Sequence, residues 1–236
     1  MEDNNLSLAL RNSISEEATN SLTEIAEIGL DSVLDDGLFK DIPVISTAFG
    51  LYKIGRSVKE RHYVKKLAQF VCALNNGAVD EESREYYKRK LEGNDMQRNQ
   101  ELEYIMVLID RYISYDKPDM LAKLYLAYLR EDILWQEFAM YAEVIDRFLP
   151  GDYEQLCRSH RFTTVKDLNT EVLLRLAGLG LVIESIRGAT SKMEGSTLFI
   201  DPPEIMELRE RNYYRTEFGE RLVAILNSTG TITFSD

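Results

Sequence analysis

Apolar residues recur at the three-to-four-residue spacing of helices along most of this chain, and the pattern shortens to strand-like runs only in its last third. Ala18, Leu22, Ile25, Gly29 and Val33 take one side of a helix, with Glu17, Glu24, Glu27 and Asp31 on its other faces. Ser13 with Glu16 three residues later is a capping box that predicts the start of this helix, and Asp35-Asp36-Gly37 predicts its end. After Pro43 a long helix is expected from about Ser46 to Asn75. Val58, Leu67, Phe70, Val71 and Leu74 supply its apolar contacts, and Gly50 and Gly55 weaken its first half by roughly 1 kcal/mol each. Asn75-Asn76-Gly77 stops it.

From Val79 to Pro150 the pattern predicts shorter helices. Asp80-Glu81-Glu82-Ser83 opens one with acids at the positive end of its dipole, and Lys88, Arg89 and Lys90 close it. Leu102, Ile105, Met106, Ile109 and Ile113 form the apolar stripe of the next. Pro118 suits the first turn of a third, whose inner face is Leu121, Leu124, Tyr125, Tyr128 and Leu129. A fourth carries Trp135, Phe138, Ala139, Ala142, Ile145 and Leu149. Pro150-Gly151 breaks the periodicity and marks the main domain boundary.

Beyond it, helices are expected over 152–159 and 168–177, then a strand at Gly178–Ile183. A polar loop runs from Arg187 to Ser196, followed by a β-prone run at Thr197–Ile200. Tyr213–Thr216 reads as a strand and Glu217–Leu226 as a closing helix, with Phe218, Leu222, Ile225 and Leu226 on one face. The tail Thr231–Phe234 is β-prone and available to a sheet edge. The expected fold class is therefore mainly α: an amphipathic helix within residues 1–37, a helical bundle over 38–150, a small α+β module over 151–227, and a tail over 228–236.

Composition adds exclusions. The 236 residues are 44% hydrophobic and 29% charged, ordinary for a chain that buries a core. Twenty-eight basic against 40 acidic residues give −12, which disfavours non-specific nucleic-acid binding by the whole surface. Two cysteines, Cys72 and Cys157, make no disulfide framework, so a reducing cytoplasm is expected. The acidic start Met1-Glu2-Asp3 is unlike a signal peptide. The apolar stretch Ile42–Tyr52 has eleven residues, well short of the roughly 20 that span a bilayer.

Two resemblances follow from particular residues. Leu173-x-x-Leu176-x-Gly178-Leu179-Gly180-Leu181-Val182-Ile183, then an insert, then Tyr214-Arg215-Thr216-Glu217-Phe218-Gly219, resembles a winged-helix domain over residues 152–227. The resemblance implies a helix running into a strand, a wing hairpin, and a strand ending in Thr-x-x-Gly that leads to a last helix capped by Thr216. Residues 64–149, with an acidic turn, Lys123 ahead of an aliphatic helix, and an aromatic helix ending in Ile145-Asp146, are similar to tellurite-resistance-type (TerB-like) helical domains. The chain also resembles uncharacterised bacterial proteins with an Ile-Pro-Val-Ile start, here Ile42–Ile45, and a Phe-x-x-x-x-x-x-Ile-Asp helix, here Phe138 to Asp146; that likeness implies a bacterial or phage source, with a role in stress or phage–host conflict, and no particular activity.

Reaction chemistry finds little support. The acids fall on helix faces opposite the apolar stripes, where solvation is their ordinary state. Cys157 and His160 share a helical spacing, but a structural zinc site needs about four ligands and no second pair exists. Gly178 and Gly180 end a helix rather than precede one, so they make no phosphate cradle, and neither a P-loop nor a Gly-x-Ser-x-Gly elbow occurs. The expectation is a non-enzymatic protein with no catalytic residues, cofactor, metal or small-molecule substrate.

Recognition surfaces remain. Residues 40–66 hold seven basic residues against two acidic ones, inside a chain at −12. Lys53, Arg56, Lys59 and Lys66, beside the apolar Ile42–Tyr52, are the candidates for a membrane surface or an acidic partner; the alternative is a helix whose basic face pairs with acids of its own chain. In the winged-helix-like module the outward helix offers Asn169, Thr170, Glu171, Leu174 and Arg175. Arg175, with Arg187 and Lys192 of the loop, is the DNA-binding alternative, disfavoured because residues 152–236 carry ten basic against 13 acidic residues. Tyr125, Tyr128, Trp135 and Tyr141 are the candidate interface anchors, for whichever of them the core leaves outside. The leading expectation is a cytoplasmic interaction or adaptor protein that binds a protein partner or further copies of itself.

Overall fold

A computed structural model of the chain describes residues 6–14, 42–52, 57–77, 80–92, 95–158, 160–163, 170–186 and 211–228. Among these are ten helices and three short strands, so the fold is mainly α with a small antiparallel sheet towards the C-terminus. Two compact units result, one of Met1–Arg147 with Ile225–Asp236 and the other of Phe148–Ala224. The amphipathic helix expected at Ala18–Val33, the loop at 187–196, the run at 197–200 and the tail at 231–234 lie outside the described residues.

In the first unit, α1 (Leu6–Ser13) buries Leu6, Ala9 and Leu10. Ser13 is the last residue of this helix. Its hydroxyl donates back to the Ala9 carbonyl at 2.9 Å and accepts from the Val44 N–H at 3.0 Å, which ties it to the start of α2 (Pro43–Tyr52). Pro43 takes the first helical position, where a missing N–H costs nothing. The expected helix from Ser46 to Asn75 is in fact two, α2 and α3 (Val58–Gly77). The reason is a second capping box: the Ser57 N–H donates to Glu60 at 2.7 Å while the Ser57 hydroxyl accepts from the Glu60 N–H, which starts a fresh helix.

Next come α4 (Glu81–Leu91) and α5 (Asp95–Arg111), with Asp80 capping α4 by accepting from the Ser83 N–H at 2.7 Å. The unit is completed by α6 (Asp116–Leu129) and α7 (Trp135–Arg147). Helix α1 packs on α2, α4 and α5, and α6 lies between α3 and α7. Leu102, Ile105, Met106 and Ile109 are buried as their stripe predicts, but Ile113 is 86% exposed. Helix α5 ends at Arg111 and the chain turns, which carries position 113 off the helical face.

The second unit begins with α8 (Asp152–Arg158), β1 (Arg161–Thr163), α9 (Thr170–Gly178), β2 (Val182–Ile186) and β3 (Arg211–Arg215), followed by α10 (Glu217–Asn227). The strands lie in the order β1-β3-β2, antiparallel throughout, with Phe162 opposite Tyr213 and Ile183 opposite Tyr214. A Schellman turn ends α9: the Leu181 N–H bonds the Leu176 carbonyl at 3.0 Å and the Gly180 N–H bonds Ala177 at 2.9 Å, with Gly180 at φ +75°. Leu176 and Leu181 are both buried, as that motif's hydrophobic contact requires.

Thr216 joins this turn to α10. Its hydroxyl donates to the Gly180 carbonyl at 2.7 Å and accepts from the Gly219 N–H at 3.0 Å. The approach is so close that a Cβ on Gly219 collides with the Leu181 carbonyl oxygen, a backbone atom with no freedom to swing away. Gly219→Ala is expected to cost about 2 kcal/mol. Gly178→Ala, where a Cβ meets nothing within 4 Å, is expected to be close to neutral. Urea denaturation of the two variants checks the contrast.

Candidate functional site

The basic stretch at the start of α3 is spent largely inside its own unit. Lys66 is 1% exposed, and its ammonium donates to the carbonyls of Asp110 at 2.9 Å and Tyr112 at 2.5 Å, capping the negative end of α5. Burial pulls its pKa down from 10.5 to about 8, against the attraction of Asp110 and with the repulsion of Lys59. Lys59 meets the Asp110 carboxylate at 3.1 Å. His62 lies over the α5–α6 connector with Nε2 3.2 Å from the Ile113 carbonyl and Nδ1 2.6 Å from the Tyr115 hydroxyl. A carbonyl only accepts, so Nε2 carries the proton of the neutral ring and Nδ1 accepts from Tyr115. The Lys65 ammonium sits 4.2 Å above the Tyr115 ring.

Lys66 is therefore not part of any membrane or partner surface, because its charge is consumed at a helix end. Lys53 and Arg56 lie outside the described residues. The apolar half of the membrane reading fails for a related reason: Ile42, Val44, Ile45 and Ala48 are buried, and α2 packs against α1. No helix among the described residues is long and apolar enough to cross a membrane.

Two of the four candidate aromatic anchors are corrected as well. Tyr125 and Tyr141 are core residues. Tyr128 and Trp135 are half-buried in a ring cluster, with Trp135 stacked on Phe138 at 4.7 Å and Tyr128 at 5.4 Å from Trp135. The Tyr128 hydroxyl donates to the buried carboxylate of Glu101 at 2.8 Å, and Arg98 meets the other oxygen of Glu101 at 2.6 Å. These rings hold α5, α6 and α7 together.

In the second unit, Arg175 is gripped bidentately by Asp152, with Nη2 at 2.6 Å and Nε at 3.0 Å. The Asp152 side chain is fully buried and also accepts from the Leu149 N–H at 2.8 Å. Thr170, Glu171 and Leu174 are what α9 exposes. Asn169, Arg187 and Lys192 lie outside the described residues.

His160 Nδ1 stands 2.6 Å from Glu220 Oε1, which Arg215 Nε also approaches at 3.3 Å. Cys72 and Cys157 are free, half-buried thiols. Among the described residues no three histidine, cysteine or acidic side chains are grouped to hold a metal ion. Burial pushes the Cys72 thiol upward, opposed by the Asn76 amide. Iodoacetamide at pH 8 is expected to label Cys72 roughly tenfold more slowly in the folded chain than in urea, as peptide mapping would read.

An open cleft of about 290 Å³ lies between the first turns of α3 and the last turn of α5. Its apolar wall is Tyr63, Met106 and Val107, and its charged rim is Lys59, Glu60, Asp110 and Arg111, with Glu60 accepting from the Ser57 N–H at 2.7 Å. Lys59 is paired with Asp110, and Arg111 with Asp146 and Glu143. The cleft thus holds no converging, uncompensated acid–base pair. The residues that sequence reasoning missed here are His62, Val58 and Ile113. Val58 and Ile113 were assigned to helical apolar faces and are 78% and 86% exposed. Comparison of the chain with protein-family models, with curated proteins and with solved structures returns no match.

Proposed function

We propose that the protein is a non-enzymatic, cytoplasmic interaction protein, built from a helical scaffold and a winged-helix-like module that meets protein rather than DNA. The observation that carries this reading is the Arg175–Asp152 bridge. It commits the one described cation of the outward helix to a buried carboxylate and leaves Leu174 and Glu171 exposed beside it. A groove reader needs donors aimed at base edges and cations aimed at phosphates. Support for the module comes from the antiparallel pairing of β2 with β3, the glycine turn leading α9 into β2, and the Thr216 cap on α10. Two free thiols agree with a reducing compartment.

The test is in-cell cross-linking with mass spectrometry, together with light scattering of the purified chain. The expected result is a defined oligomer or a specific cross-linked partner. A strict monomer that cross-links to nothing would overturn the reading. So would a salt-sensitive shift of duplex DNA lost on Arg175→Ala, which would favour a DNA-binding regulator.

A further inference from the structure

We draw no further inference here: the strongest candidate, the exposed apolar corner of Val58 and Ile113 beside the cleft between α3 and α5, has its charged neighbours Lys59, Lys65, Lys66 and Asp110 already engaged within the chain, and nothing in the structure shows what covers it.

Discussion

Asp152→Ala is expected to lower the stability of the second unit by about 3 kcal/mol. The carboxylate is wholly buried and satisfies three donors: the Leu149 N–H and two nitrogens of Arg175. Removing it leaves the Leu149 N–H without its acceptor and a guanidinium without its counter-ion. Arg175 is 31% exposed and regains some hydration, which keeps the cost at the lower end of the range for a broken buried pair. Asp152→Asn keeps an acceptor for Leu149 but loses the charge, and should fall between wild type and alanine. Arg175→Ala should be comparably damaging, because it strands a buried carboxylate. Urea denaturation, with hydrogen exchange of the α8 and α9 amides, reads all three. If Arg175→Ala left stability untouched, the bridge would not be what commits this side chain, and the argument against DNA would lose its footing.

Stability should also rise with pH between about 8 and 10.5 through Lys66. Its amine titrates near 8 in the fold and near 10.5 once unfolded. In that window the unfolded chain holds the extra proton, so raising pH favours the folded state. Below about pH 8 both states are protonated and the burial cost is present in full; above 10.5 both are neutral and the gain is complete. The interval corresponds to roughly 3 kcal/mol. Tyr112 and Tyr125 act in the opposite sense above pH 10, since burial pushes both phenols upward and the unfolded chain ionises first. The measurement is therefore the difference between wild type and Lys66→Met across pH 7–10. Lys66→Met should lack the rise, and parallel curves would show that the ammonium is not buried in solution.

Helix content and most of the core were legible because apolar spacing reports on local geometry. Leu121, Leu124, Tyr125 and Leu129 are buried as their period requires, and Asp80 caps the helix its acids announce. What escaped depends on partners far away in sequence. Nothing near Lys66 discloses that carbonyls 44 and 46 residues onward receive its protons. Nothing near Arg175 discloses Asp152 as its buried partner, 23 residues before it. Ile113 fits its stripe perfectly, and only the end of α5 two residues earlier turns it outward. Ser13 carries a capping signature, yet its hydroxyl serves the helix before it and the N–H of a residue 31 positions later. Strand β1 is three residues long and borrows its ladder wholly from β3, which no local alternation encodes.

The pairing of β2 with β3 continues to Ile186 opposite Arg211. The two ends of the intervening stretch, residues 187–210, are thereby fixed one ladder rung apart. Closing entropy grows only logarithmically with loop length, at about 0.6 kcal/mol for each doubling. Loop closure by itself therefore sets only a small cost on changing the number of residues between Ile186 and Arg211.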